Sequence, residues 1–288
     1  MRSLAVVITA LVGGCSKPPD PEVAFVVADP DELVALQSAI AGVPSIGFAT
    51  TDATEQRASL DRAIQLGVRV IVLEPLDASP DTSDFVVQAH QRGVRIVAYG
   101  REPTGHGDHD TVDALVAFDG FRAGTLQVAA ALAAIQHGRV AIVDTPSHAT
   151  GVAAEIARAY ALTLAPYIAR GDVTLVDDPA SADAILATSG SAVRSLGSAA
   201  GHAFVTSVGG DNTDLVCASR QQLDIRLDRA DLAAAAGTIV RRIVAGEDLG
   251  KDPQAIRLPN RRLPVELAPV REFTTSDCIS LVTPRRRN

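Results

Sequence analysis

Of the 288 residues none is tryptophan, one is methionine, and aromatic side chains make up only 3%. A core without large rings must be filled by small and β-branched side chains, which suits close packing of helices on sheets better than an aromatic-rich sandwich. A basic face is also lacking. The chain carries 26 Lys and Arg against 34 Asp and Glu, a formal charge of -8. Phosphate backbones require a basic surface, so a nucleic-acid partner is excluded. The only basic run, Arg285 to Arg287, reads as a solvated tail. No HExxH helix and no phosphate-cradling glycine loop occurs, and neither Ser147 nor Ser189 lies in a Gly-x-Ser-x-Gly elbow. No enzyme, cofactor or metal is expected. His106, Asp108, His109 and Asp110 alternate within "TGHGDHD", and this glycine-rich stretch reads as a solvated loop rather than a zinc site.

Apolar runs long enough to cross a bilayer, roughly 20 residues, are missing as well. The longest near the start, residues 4–12, fits the apolar core of a secretory signal instead, with Arg2 before it. It ends in Leu11-Val12-Gly13-Gly14-Cys15, which resembles the bacterial lipobox, whose small residues admit a peptidase and whose cysteine takes the lipid. Residues 1–14 are expected to be a lipoprotein signal peptide, Cys15 the lipidated residue, and the Pro-rich residues 15–22 a stiff tether. An exported, membrane-anchored protein follows. Two further cysteines, Cys217 and Cys278, stand 61 positions apart. An oxidising compartment permits a disulfide, but the spacing alone leaves a bridge and two separate buried thiols equally open.

Beyond the tether, continuous apolar runs alternate with amphipathic segments. Strands are expected at 23–27, 45–49, 68–73, 94–99, 115–118, 139–143, 173–176, 184–188, 204–208 and 263–270. Helices are expected at 29–40, 51–67, 80–92, 120–136, 151–169 and 232–245. The second helix has a complete start signal, Thr51-Asp52-Ala53-Thr54-Glu55, and Gly67 as its stop. Repeated βαβ units of this kind give parallel sheets covered on both faces, and two α/β lobes, each a doubly wound parallel sheet, are the expected fold. Ligands of such sheets bind at the carboxyl ends of the strands.

Several segments, in order, resemble the type 1 periplasmic binding proteins, the xylose- and ribose-binding branch in particular. They are "DRAIQLGVRVIVLEPLD" at 61–77, "QRGVRIVAYGRE" at 91–102, "VAFDGFRAG" at 116–124, "SVGGDNTDL" at 207–215 and "RRLPVELAPVREFTTSD" at 261–277. The resemblance implies two lobes joined by three crossover strands: 23–118 plus 228–258, and 119–227 plus 259–288. It also implies a monosaccharide such as xylose held in an interlobe cleft that closes by hinge motion, an ABC permease as partner, and a monomer. Carried over, it points to Arg101, Asp119, Asp211, Asp228 and the aromatic Tyr99 as ligand-binding positions. Arg101 suits paired hydroxyls because its planar fork presents fixed donors. Asp119 can equally cap the helix that follows it.

The sequence departs from the family pattern at Gly100, at 148–151, at Ser189-Gly190 and at Asp228, where the family has Asp, an Asn-rich site, Asn-Asp and Lys or Gln. Two function classes are therefore carried forward. One is a sugar-binding lipoprotein serving an importer. The other is a degenerate family member that acts as a sensor or interaction protein at the membrane surface. Neither Cys217 nor Cys278 matches a fixed family position, so both are expected to be dispensable for folding.

Overall fold

The computed structural model describes residues 19–76, 80–101, 112–144, 151–210, 212–249, 256–257 and 262–282. The chain divides into two units, Met1–Ala117 with Arg229–Ala268, and Phe118–Asp228 with Pro269–Asn288.

In the first unit β1 (Val23–Val27), α1 (Pro30–Ala39), β2 (Ser45–Ala49), α2 (Ala53–Gln65), β3 (Val70–Leu73), α3 (Pro80–Gln91), β4 (Arg95–Tyr99) and β5 (Ala114–Phe118) follow in strict alternation up to the last pair. The second unit continues with α4 (Gly120–Ile135), β6 (Gly138–Val143), α5 (Gly151–Arg170), β7 (Val173–Val176), β8 (Ala184–Ala187), α6 (Gly190–Leu196), β9 (Phe204–Val208), α7 (Thr213–Cys217) and β10 (Leu223–Arg226). The chain returns to the first unit for α8 (Arg229–Val244), the short pair β11 (Ile256–Arg257) and β12 (Arg262–Leu263), and β13 (Val265–Ala268). It ends in the second with β14 (Arg271–Thr274) and α9 (Thr275–Val282).

The two main sheets share one pattern. Their orders are β13-β5-β4-β3-β1-β2 and β14-β10-β9-β8-β6-β7. Strands β1 to β5 pair in parallel, as do β6 to β10, and β14 runs antiparallel to β10. This is the expected doubly wound fold, twice. Val23, Ala24, Phe25, Val26 and Val27 are all 0% exposed because helices cover both faces of β1. The α2 start is as the sequence dictates: Asp52 accepts from the Glu55 amide at 2.8 Å while Glu55 reaches back to the Thr51 amide at 3.0 Å.

Two expectations need correction. The strand expected at 263–270 ends at Ala268 as β13, because Pro269 removes a ladder donor, and β14 follows at Arg271–Thr274 in the other sheet. The third crossover therefore falls at 268/269 rather than 258/259, since β13 belongs to the first sheet beside β5. Of the two alternatives for Cys217 and Cys278, the disulfide is the one present, with a Cα–Cα separation of 5.6 Å.

Small residues set the interhelical distances. A Cβ placed on Gly124 of α4 would stand 2.8 Å from the Ile156 carbonyl and 2.8 Å from the Ala159 Cβ of α5. On Gly237 of α8 it would stand 2.8 Å from the Ala39 carbonyl at the end of α1. Backbone atoms cannot step aside without moving a helix. Gly124→Ala is expected to lower the unfolding free energy by about 1–3 kcal/mol, the cost of overpacking, despite alanine's better helix propensity. Urea denaturation of wild type and variant measures it, and a gain in stability would show that α4 and α5 separate freely.

Candidate functional site

A doubly wound sheet leaves a crevice at the carboxyl ends of its strands where the strand order reverses. In the first unit that point lies between β1 and β3, in the second between β6 and β8. Each is occupied by polar groups.

At the first, Glu74 follows β3 and accepts from the Ala28 amide beyond β1 at 2.8 Å. Gln56, buried on α2, donates to the Glu74 carbonyl at 2.8 Å and accepts from the Leu76 amide at 3.3 Å, which fixes the segment after β3. Asp29 caps α1 through the Asp31 amide and pairs with Arg229, the first residue of α8. The same guanidinium stands 3.8 Å from Glu32. Glu32 lies in the first turn of α1 and is 6% exposed. Its carboxylate accepts from the Tyr99 hydroxyl at 2.7 Å. Burial pushes the Glu32 carboxyl above its ordinary range, and the neighbouring Glu74 and Asp29 charges add to this, against the hydrogen bond from Tyr99 and the attraction of Arg229. The Tyr99 hydroxyl is held far above its usual range by burial and by its bond to Glu32. Arg101 follows Gly100 at the end of β4, is exposed, and directs Nε to the Pro75 carbonyl at 2.6 Å, with Nη2 on the same oxygen.

At the second point Asp144 follows β6 with φ 59°. Its side chain accepts from the Ser189 hydroxyl at 2.6 Å, and its carbonyl accepts from the Thr188 hydroxyl. Ser189 in turn caps α6 through the Ala192 amide at 3.2 Å and lies 2.9 Å from the Ser191 hydroxyl. Deeper in the same sheet Ser207, Asn212, Gln221 and Asp224 form a fully buried network, with Ser207 donating to Asp224 at 2.6 Å and Gln221 donating to Ser207 at 2.7 Å.

Of the residues expected from sequence, Arg101 stands at a strand end of the first unit. Tyr99 is 1% exposed with its hydroxyl on Glu32, and is a core residue rather than a ligand platform. Asp119 caps α4 by accepting from the Arg122 amide at 2.9 Å. Asp228 is exposed and closes the second unit before α8. Asp211, Cys15 and the His106 to Asp110 cluster lie outside the described residues. Sequence reasoning missed Glu32, Glu74 and Asp144. Among the described residues no His, Cys, Asp and Glu group of three or more could hold a metal ion, and no helix is long and apolar enough to cross a membrane.

The titration of Glu32 gives the site a measurable signature. A carboxyl whose folded pKa is raised contributes stability that is complete below its unfolded value, near 4.5, and lost as pH rises through the folded one. Glu32→Gln keeps an acceptor for Tyr99 and removes the charge. The variant is expected to have a higher urea midpoint than wild type at about pH 7 and an equal one below the unfolded value. An unchanged or lower midpoint at neutral pH would mean that attraction to Arg229 outweighs the burial of the charge.

No curated protein matches the chain by sequence. Among solved structures, a solute-binding protein from Clostridium phytofermentans with bound β-D-glucose superposes with a TM-score of 0.71 at 16% identity, covering 91% of this chain and 96% of that one. A carbohydrate transporter solute-binding protein from Chloroflexus aurantiacus, in complex with D-glucose, gives 0.70 at 16% identity over 90% and 94%. The arabinose-binding component from a Shewanella species gives 0.65 at 14% identity over 92% and 95%. At these identities the likeness is one of fold. The family model for a periplasmic binding protein domain matches residues 20–237, well over half of the sequence, and with two doubly wound lobes of matching strand order this chain belongs to that family.

Proposed function

We propose that the protein is the substrate-binding component of an ABC importer, that its ligand is a small uncharged polyhydroxylated molecule of the monosaccharide class, pentoses such as xylose included, and that it works outside the cytoplasm, anchored through a lipid on Cys15. The observation that carries this reading is that both lobes of a periplasmic binding protein place hydrogen-bonding groups at their own strand-order reversal. Fixed carbonyls, carboxylates and hydroxyls on rigid strand ends are what hydroxyl recognition needs, since orientation comes from a few well-placed polar groups. Several solved structures of like fold carry glucose, arabinofuranose or myo-inositol.

Arg101, Asp119, Asp211 and Asp228 are proposed as the ligand's polar partners, with Arg101 principal among them. Its exposure at the end of β4 and the locking of its fork by the Pro75 carbonyl supply a preset orientation at little entropic cost. Calorimetric titration with a panel of pentoses, hexoses and polyols tests the reading, and at least one is expected to bind. Arg101→Ala should then weaken that ligand by more than tenfold, the lower end of what removing a buried charged partner costs, about 2 kcal/mol. The thermal midpoint should hardly change. Equal affinities would remove Arg101 from the site.

A second reading has its own support. Tyr99 is buried, and Asp119 already serves as a helix cap. A scaffold that keeps the fold as a sensor or interaction module would bind none of the panel. For the anchor, Cys15→Ser is expected to move the protein from the membrane fraction to the soluble one. Retention in the membrane fraction would rule out lipidation there.

A further inference from the structure

The Cys217–Cys278 disulfide joins two ends of one structural device. Cys217 closes α7, just before β10, the strand on which the chain runs to the edge of the second unit at Asp228. The chain re-enters at Pro269, just before β14, and Cys278 follows in α9. The outgoing and returning strands are paired antiparallel, from Arg226↔Arg271 at the exit to Leu223↔Thr274 at the far end. The disulfide lies beyond that far end and closes the pair opposite the exit.

Among the described residues the returning piece is held by Val270 in the second unit's core, by the packing of β14 and α9 against α7, and by a short ladder. β14 is the edge strand of its sheet, with β10 its one neighbour there, and its ladder is four residues long. Phe273 is its buried side chain, under the Arg226 guanidinium at 3.4 Å from the ring centroid. Asp277 accepts from the Thr274 amide and so ties α9 to β14, and the Arg226 guanidinium of β10 also acts on its carboxylate. A bridge across such a short edge contact constrains it strongly, and it is open to attack because Cys217 is exposed and Cys278 half-buried. Disulfides that resist reduction are typically shielded, and exposed ones are the labile class.

We propose that Cys217–Cys278 is a redox latch on the returning strand: oxidised, it keeps β14 and α9 registered on β10 and α7, and reduced, it releases them and with them one of the chain's three connections between the units. Reduction needs an external dithiol. Its first thiolate attacks one Sγ of the bridge, the Sγ–Sγ bond breaks, and the other cysteine leaves as a thiolate and takes up a proton. The second thiol then resolves the mixed disulfide, so that the protein gains two electrons and two protons and the dithiol becomes a disulfide. Oxidation is the reverse, with an external disulfide as acceptor. This inference does not depend on ligand binding.

The test is amide hydrogen exchange on the full chain, oxidised and with dithiothreitol, beside the double variant Cys217→Ser with Cys278→Ser. Peptide mapping without reductant must first find the two cysteines joined, and two separate thiols would overturn the proposal at once. Reduction is expected to speed exchange at Leu223–Arg226 and Arg271–Thr274 by tenfold or more, to leave β1 to β5 unchanged, and to reverse on reoxidation. The double variant should exchange like the reduced protein whether or not dithiothreitol is present. Equal protection of the ladder in both redox states would overturn the latch. Loss of protection throughout the chain would overturn it too, by showing a general staple and no local switch.

Discussion

Everything in this molecule depends on parallel sheets whose central strands must be covered on both faces by helices. The central strands β1, β3 and β8 leave no face for water, and at α4–α5 and α8–α1 the helices come close enough for alanine and glycine to make the contact. Polar groups inside the flanks are tied up in buried networks such as Ser207–Asp224 and Tyr160–Gln127. Side chains with access to solvent gather instead at the strand ends, where the backbone turns. The concentration of Glu74, Arg101, Asp144 and Ser189 at carboxyl ends is therefore a result of packing before it is a result of function.

The two reversals have different chemistry. The first is ionic: three carboxyl groups, Asp29, Glu32 and Glu74, share one nearby guanidinium, Arg229, and Tyr99 is drawn into the same arrangement. Holding a carboxyl in that setting against its own hydration opposes folding, and the bond from Tyr99 and the dipole of α1 offset it only in part. The second is built from hydroxyls around a single carboxylate, Asp144, whose left-handed backbone turns the chain out of β6. A donor-rich solute would find acceptors at the first and interchangeable donors and acceptors at the second.

Most elements of the fold were legible because their signals are local. The start of α2 at Asp52 is set by residues within three positions of it, and the apolar runs of β1, β3, β4 and β9 carry their own length. The cap role of Asp119 was equally readable. The site was much less so. Glu32 sits in a helix whose polar residues read as a solvated face, and only its approach to Tyr99, 67 positions away, marks it as interior. Asp144 and Ser189 are 45 apart and meet because β6 and β8 are neighbours, which is a property of strand order. The short α6, α7 and β10 carry too few residues for periodicity to show, and the separation of β13 from β14 depends on which sheet each joins, which no local pattern encodes.

The interleaving of the two units has a consequence for how the protein is made. α1 lacks its partner α8 until residue 244 has emerged, and the first sheet lacks its edge strand β13 until residue 268 has. The second lacks β14 until residue 274 has. A nascent chain therefore carries two incomplete lobes through most of its synthesis, each with an open sheet edge and an uncovered apolar surface. Neither lobe is complete until its last strand arrives, so the order of synthesis leaves both lobes to close near the end.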